Sequence, residues 1–86
     1  MYEKELVIAN KTGLHARPAA DLTNLCQKFG SSIKILAGKS EVNPKSIISI
    51  LAAGIKQGSS IRLQVTGADE QDAGKAISEF IMGLKE

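Results

Sequence analysis

The 86-residue sequence predicts an α+β fold, in which a four-stranded antiparallel sheet carries three helices on one face. Three observations predict this fold. Alternating or β-branched apolar runs indicate strands, apolar residues at helical spacing indicate amphipathic helices, and glycines or prolines stand between them. The predicted order is strand, helix, strand, strand, helix, strand, helix. We expect residues 1–86 to form a single domain, because a chain of this length can enclose one hydrophobic core.

Three strands and one long helix are predicted in the first half of the chain. Residues 6–9 are a β-branched apolar run, residues 32–37 alternate between apolar and polar side chains, and residues 40–43 follow a hairpin turn. Apolar side chains at helical spacing predict a helix over residues 16–29. We expect Gly30 to end this helix as a C-terminal cap.

A short helix follows a break at Asn43 and Pro44. Ser46 is suited to cap this helix, which begins at Ile47 and which Gly54 ends. Large apolar side chains point around most of its circumference, so some of them should remain exposed. These side chains are Ile47, Ile48, Ile50 and Leu51.

A strand and a last helix complete the chain. Strict alternation over residues 61–66 predicts a strand with one solvent-facing side, which Gly67 ends. An apolar stripe from Ala73 to Leu84 predicts a helix, and Lys85 suits its C-terminal end. Three acidic residues suit the positive end of this helix dipole, namely Asp69, Glu70 and Asp72.

The composition argues against several functional classes. A net charge of +2 and 3% aromatic residues leave little with which to bind nucleic acid. The single cysteine, Cys26, excludes an internal disulfide and suits a buried position in a reducing compartment. The N-terminal segment lacks the pattern of a signal peptide, and no apolar run is long enough for membrane insertion. We therefore expect a cytoplasmic protein.

The only histidine, His15, stands where the first strand gives way to the first helix. No Ser, Thr, Asp or Asn occupies residues 15–17, so the first backbone N–H groups of the helix lack a local acceptor. Pro18 suits the first turn, where its missing N–H has no cost. An anion could bind here, although a lone histidine and a solvated Arg17 are also ordinary features of a surface loop.

These residue types suit phosphoryl chemistry. A phosphoryl group on a ring nitrogen of His15 would carry nearly two negative charges, which the amides of Ala16 and Arg17 and the Arg17 guanidinium could stabilise. Neutral imidazole is nucleophilic, and its reference pKa of about 6.5 leaves a good fraction neutral near pH 7. The sequence contains no nucleotide-binding motif or metal-ligand cluster, so we expect no cofactor, no metal and no complete kinase site.

Three blocks of sequence together resemble one family: residues 13–19, which read Gly-Leu-His-Ala-Arg-Pro-Ala, Lys45-Ser46-Ile47, and residues 67–70. They resemble the histidine-containing phosphocarrier (HPr) family of the bacterial phosphoenolpyruvate-dependent sugar phosphotransferase system. The likeness covers essentially the whole chain. It implies an open-faced β-sandwich, with three helices on a four-stranded antiparallel sheet.

The resemblance also implies a function. Members of the family are carriers, not enzymes; they accept a phosphoryl group from phosphorylated enzyme I and donate it to enzyme IIA domains during sugar uptake. His15 matches the phosphorylated histidine, which reacts through Nδ1, and Arg17 matches the active-centre arginine. Ile47, Ile48 and Leu51 match the hydrophobic partner-binding surface, although a small exposed patch can also lack any partner.

Ser46 matches the serine that HPr kinase/phosphorylase modifies in many Gram-positive bacteria. The alternative for Ser46 is a simple N-cap, which needs no kinase. The sequence departs from the family pattern at two places near Ser46. Ser49 replaces an expected glycine, and Asn43-Pro44 is an unusual sequence before Ser46. The resemblance therefore supports the role of His15 more strongly than that of Ser46.

Alternative functions remain open at this point. The protein could act mainly through phosphorylated Ser46, as a corepressor for a catabolite-control transcription factor, or as the carrier of a nitrogen-related branch. The presence of His15 argues against the regulatory paralogue that lacks this histidine. A small RNA-binding α+β domain is disfavoured by the weak charge. We expect a monomer, because a carrier presents one face to successive partners.

Overall fold

The computed structural model describes residues 1–84 and has the predicted order of elements. The strands are β1 (Tyr2–Val7), β2 (Ser32–Ala37), β3 (Ser40–Val42) and β4 (Ser60–Thr66), and the helices are α1 (Ala16–Cys26), α2 (Ile47–Ala53) and α3 (Glu70–Met82). The strands form one antiparallel sheet in the order β1-β4-β2-β3, which confirms the predicted fold class. Lys85 lies outside the described residues, and no helix within residues 1–84 is long and apolar enough to cross a membrane.

Buried and exposed side chains alternate along β4, so successive residues lie on opposite faces of the sheet. Ile61, Leu63 and Val65 are buried beneath the helices, whereas Arg62 lies on the open face. Arg62 donates a hydrogen bond to Glu5, with 3.2 Å between Nη2 and Oε1. The open face is therefore solvated and charged, as the alternation predicts.

The core lies between the sheet and the helices, and all seven elements contribute to it or to its margin. Its largest fully buried side chains include Ile8, Leu22, Ile35, Ile50, Leu63 and Ile77. Cys26 is fully buried, and this burial raises the pKa of its thiol to about 12. The prediction that Cys26 packs as a small buried hydrophobic residue is therefore confirmed.

The first strand begins four residues earlier than predicted and ends at Val7. Polar side chains at its start hide the strand pattern, since Glu3 and Glu5 point to the open face, where both lie close to Arg62. The Tyr2 hydroxyl shares a hydrogen bond of 2.9 Å with Ser78 Oγ in α3. Pairing with β4 and this contact fix a segment whose sequence carries no apolar run.

The predicted end of the first helix is wrong by three residues. α1 ends at Cys26 with Gln27 as its C-cap, in the right-handed region at φ −68°. The N–H groups of Lys28 and Phe29 donate to carbonyls three residues back, so the last turn tightens. Gly30 does not cap the helix, because its N–H donates instead to Asp69 Oδ2 at 3.0 Å.

Asp69 connects the start of α3 to the loop after α1. Its carboxylate accepts hydrogen bonds from the Gly30 N–H, from the Ser31 N–H at 3.0 Å and from the Ser31 hydroxyl. The Ser31 hydroxyl, followed by the Gly30 N–H, holds the pKa of Asp69 below its ordinary value. A Cβ at Gly67 would lie 2.5 Å from Ser31 Oγ, so this loop depends on glycine for its close packing.

We expect Asp69→Asn to destabilise the protein at neutral pH but not in acid. A carboxylate whose pKa is lowered by folding stabilises the native state above its unfolded pKa of about 3.9, and this contribution is lost as the pH falls through the folded pKa. Urea unfolding between pH 2 and 7 measures the difference. It should vanish at the acid end, while Asp72→Asn, which removes the same charge from the exposed first turn of α3, should lack this profile. If the free energy of unfolding of the wild type and of Asp69→Asn depended on pH in the same way, the interpretation would be contradicted.

Candidate functional site

The loop between β1 and α1 is held by the chain that precedes β4. The Ile8 N–H donates to the Ser59 carbonyl at 2.9 Å, and the Gly58 N–H donates to the Ile8 carbonyl at 2.7 Å. Buried Asn10 then closes the turn, since its Nδ2 donates to the Gly13 carbonyl at 2.8 Å. These hydrogen bonds fix the direction in which the chain enters α1.

Gly13 lies close against the chain that follows α2. Its φ is +64°, and a Cβ would lie 2.5 Å from both the Ile55 carbonyl oxygen and Lys56 Cα. The next residue, Leu14, is buried and donates its N–H to the Ile55 carbonyl at 3.0 Å. Glycine is therefore needed at residue 13 for both its conformation and its lack of a side chain.

His15 is the N-cap of α1, but its imidazole does not cap the helix. Its backbone is extended (φ −83°, ψ −173°), and its carbonyl accepts from the Ala19 N–H at 2.8 Å. Within residues 1–84, the N–H groups of Ala16 and Arg17 donate to no protein acceptor, and Pro18 has no N–H. Two backbone donors therefore point outward beside an exposed imidazole.

The electrostatics of this helix end favour an anion. The eleven residues of α1 sum to a dipole equivalent to about half a positive charge at its N-terminus. The exposed Arg17 adds a guanidinium, whose planar geometry matches a phosphoryl group. An oxygen of an anion on His15 could take the place that a capping side chain normally fills.

His15 borders an open depression of about 450 Å³ that α1 shares with the end of α3. Its lining residues are Thr12, His15, Arg17, Pro18, Asp21, Gly83 and Leu84. Asp21, Gly83 and Leu84 are neighbours of the site that the sequence does not predict. Only Asp21 carries a signal that could have revealed it, because it follows Arg17 by four residues and so lies on the same side of the helix.

The helices α1 and α2 run antiparallel. At one end, Gln27 Nε2 donates to the Lys45 carbonyl at 3.1 Å, and Lys45 Nζ donates to the Phe29 carbonyl at 2.8 Å. At the other end, the contact between Leu14 and Ile55 joins the start of α1 to the residue that follows Gly54. The C-terminal end of α2 therefore lies beside His15.

Some of the large apolar residues of α2 are buried and others are exposed, as the sequence predicts. Ile50 is fully buried, Ile47 is half-buried, and the exposed fractions of Ile48 and Leu51 are 76% and 44%. We call Ile48 and Leu51, together with the accessible part of Ile47, the α2 patch. Leu51 is its member closest along the helix to the end beside His15.

Ser46 is the N-cap of α2, as predicted. Its Oγ accepts from the Ser49 N–H at 3.3 Å, and its carbonyl accepts from the Ile50 N–H at 3.2 Å. Ser49 is tied to the preceding loop, since its Oγ accepts from the Asn43 N–H at 2.9 Å. The structure does not bring Ser46 next to His15, because Ser46 lies at the opposite end of α2.

A protein-family model described as "PTS HPr component phosphorylation site" matches residues 2–82. The chain belongs to the HPr family. The phosphocarrier protein HPr of Xylella fastidiosa strain 9a5c is 42% identical over 80 residues, which are 93% of this chain and 90% of that protein. This match and this relative place the chain among the HPr phosphocarriers of the phosphotransferase system, which agrees with the fold described above.

Solved HPr structures share the fold. The crystal structure of HPr from Thermoanaerobacter tengcongensis is 43% identical, with a TM-score of 0.91 over 95% of this chain and 92% of that one. A dimer of HPr from the same organism, also 43% identical, aligns with a TM-score of 0.75 over 95% of this chain and 94% of that one. The arrangement of strands and helices is therefore that of HPr proteins.

We expect Gly13→Ala to destabilise the protein by roughly 3 kcal/mol or more, because it adds a backbone clash to a left-handed conformation. Gly54→Ala is the matched control. Gly54 has nearly the same φ (+63°), but a Cβ there would have nothing within 4 Å, so its cost should be about 1 kcal/mol. Urea unfolding measures both values. Equal losses in the two variants would mean that the approach of Gly13 to Ile55 is not a constraint.

Proposed function

We propose that this HPr-family chain accepts a phosphoryl group on His15 from phosphorylated enzyme I and passes it to enzyme IIA domains during sugar uptake. The observation that carries the proposal is the exposed imidazole beside two amide N–H groups that lack acceptors within residues 1–84. The Arg17 guanidinium follows in the first turn of the same helix. This set can bind a phosphoryl dianion but offers no site for a nucleotide.

The chemical step needs little from the carrier. The lone pair on Nδ1 of neutral His15 attacks phosphorus, and a nitrogen–phosphorus bond forms while the bond from phosphorus to the donor breaks. The bonding electrons leave with the donor, and the His15 proton stays on Nε2. The phosphoryl oxygens then accept from the N–H groups of Ala16 and Arg17 and from the Arg17 guanidinium. Transfer to the next protein reverses these events.

The α2 patch is the proposed docking surface. Ile48 and Leu51 expose apolar area that the core does not use, and α2 ends beside His15. A partner that covers both the patch and the imidazole holds the reacting atoms in line. Because successive partners need the same face, we infer that the carrier acts as a monomer in the cytoplasm, unlike the dimer found for one relative.

The same site could serve a nitrogen-related branch of the system. His15, Arg17 and the α2 patch would have the same roles there, since only the partner proteins differ. Transfer onward to a sugar-specific enzyme IIA, followed to the phosphorylated sugar, distinguishes the two branches.

A second role, in regulation, is favoured by the position of Ser46. This residue begins the helix that carries the α2 patch, and its Oγ accepts only a long hydrogen bond from Ser49. Phosphorylation by HPr kinase/phosphorylase would place about two negative charges at the edge of the docking surface. Those charges would repel an acidic partner and could create a surface for a catabolite-control transcription factor. The two roles are compatible, because Ser46 begins α2 whereas His15 lies beside the opposite end of that helix.

Incubation with enzyme I, Mg²⁺ and phosphoenolpyruvate should add one acid-labile phosphoryl group, because phosphohistidine hydrolyses in acid. Intact-mass spectrometry checks this result. His15→Ala should remain unmodified, Ser46→Ala should be modified normally, and Arg17→Ala should be loaded at least about tenfold more slowly. An unchanged mass of the folded wild type would refute the carrier role.

For the regulatory role, HPr kinase and ATP should label the wild type and His15→Ala but not Ser46→Ala. Ser46→Asp should raise the KM for loading by enzyme I, because the new charge lies at the edge of the docking surface. Ser46→Ala should cost about 1 kcal/mol of stability through loss of the cap but leave that KM unchanged. If the kinase does not label folded wild-type protein, Ser46 is only an N-cap.

A further inference from the structure

Asp21 is an isolated acidic residue in a basic part of the chain. It is the only Asp or Glu between Glu5 and Glu41. The same interval contains five basic side chains, which are Lys11, Arg17, Lys28, Lys34 and Lys39. The acidic residues of the protein lie mostly in β1 and α3, so Asp21 is the only carboxylate in α1, and it lies between two basic residues, Arg17 within the helix and Lys28 just after it.

Asp21 lies on the outward side of α1. Arg17, Asp21, Asn24 and Lys28 are all exposed, and they recur at intervals of four, three and four residues. This spacing places them in one stripe along the helix surface. Asp21 also lines the depression that His15 borders, about 9 Å further along the helix axis.

The carboxylate of Asp21 has no partner among the described residues. Within residues 1–84 it makes neither a hydrogen bond nor an ion pair, even with Arg17 one turn earlier. A cation that precedes an anion by four residues is the weaker orientation for a helical pair, which agrees with this finding. Asp21 also carries the same sign as a phosphoryl group, so it does not serve as a ligand for the phosphate.

We propose, on the basis of the carrier function above, that Asp21 is a recognition residue for the phosphoryl donor. A partner that reaches His15 also comes close to Asp21 and its neighbours in the outward stripe of α1, because His15, Arg17 and Asp21 line the same depression. The basic residues of this stripe favour an acidic partner surface, against which an unpaired carboxylate would be repelled. Asp21 therefore pairs with a lysine or arginine that the donor presents within an otherwise acidic docking surface.

The experiment compares Asp21→Lys with Glu5→Lys, which changes the net charge by the same amount. Glu5 is exposed on the open face of the sheet, opposite the helices, so a partner at His15 does not contact it. Steady-state loading is measured with the enzyme I of the same host, Mg²⁺ and phosphoenolpyruvate. Asp21→Lys should raise the KM about tenfold and leave kcat within twofold, while Glu5→Lys should change neither beyond twofold. Asp21→Asn should raise the KM about two- to fivefold.

A charge reversal in the donor completes the test. Lysines and arginines on the docking surface of enzyme I are changed to glutamate one at a time. One such variant should load Asp21→Lys better than it loads the wild type. The inference is overturned if Asp21→Lys behaves like Glu5→Lys, if it lowers the KM, or if no reversed donor prefers it. Failure of the wild type to be loaded at all would instead refute the carrier function.

Discussion

The close packing of Gly13 and Leu14 against the chain after α2 is the constraint on which the site depends. The hydrogen bond from the Leu14 N–H to the Ile55 carbonyl forms only because residue 13 has no Cβ. It joins the end of one helix to the start of another. One backbone contact thus positions His15 at the N-terminus of α1 and places the α2 patch beside it. At the other ends of the two helices, the hydrogen bonds of Gln27 and Lys45 join the chain after α1 to the chain before α2 and keep the helices antiparallel.

The short helix α2 shows that part of the apolar surface is not used for folding. Ile50 enters the core, and full burial of an isoleucine contributes roughly 1.5–3 kcal/mol. Ile48, two residues earlier, points away from the core and forgoes most of this contribution. The opposite sides of one helix thus serve the core and the exposed surface. The stabilisation given up by Ile48 is sizeable beside the total stability of a small protein, so its exposure supports the docking role that we propose for the α2 patch.

Apolar patterns, turn residues and helix caps in the sequence were together sufficient to predict every helix and strand of the described chain, but not all of their ends. Contacts between distant residues decide the ends that were wrong. The start of β1 contains charged residues that become part of a strand only when Arg62 lies opposite them. The end of α1 depends on Asp69, which lies 39 residues beyond Gly30 and accepts a hydrogen bond from the Gly30 N–H. Such partners leave no local signal.

The candidate site was predictable to a different degree at each residue. His15 and Arg17 could be proposed from the absence of a capping residue, which is a local property of the sequence. The proximity of Leu51 to His15 could not be proposed, because it follows from the approach of residue 13 to residue 55. The contribution of Leu84 likewise depends on where α3 ends. Local chemistry thus identifies the reactive group, whereas the fold determines its surroundings.

The sparse surroundings of His15 suit a phosphoryl group that has to leave again. Hydrogen bonds to charged groups contribute about 1.5–3 kcal/mol each, and every 1.4 kcal/mol changes an equilibrium tenfold. A deep pocket with several cations would therefore favour the loaded carrier by orders of magnitude and trap it. His15 instead has the amide donors of Ala16 and Arg17 and the Arg17 guanidinium, and both of these residues are exposed to water. Solvent weakens each of these contacts, so in the carrier role that we propose, the loaded and unloaded states would be close enough in free energy for transfer in either direction.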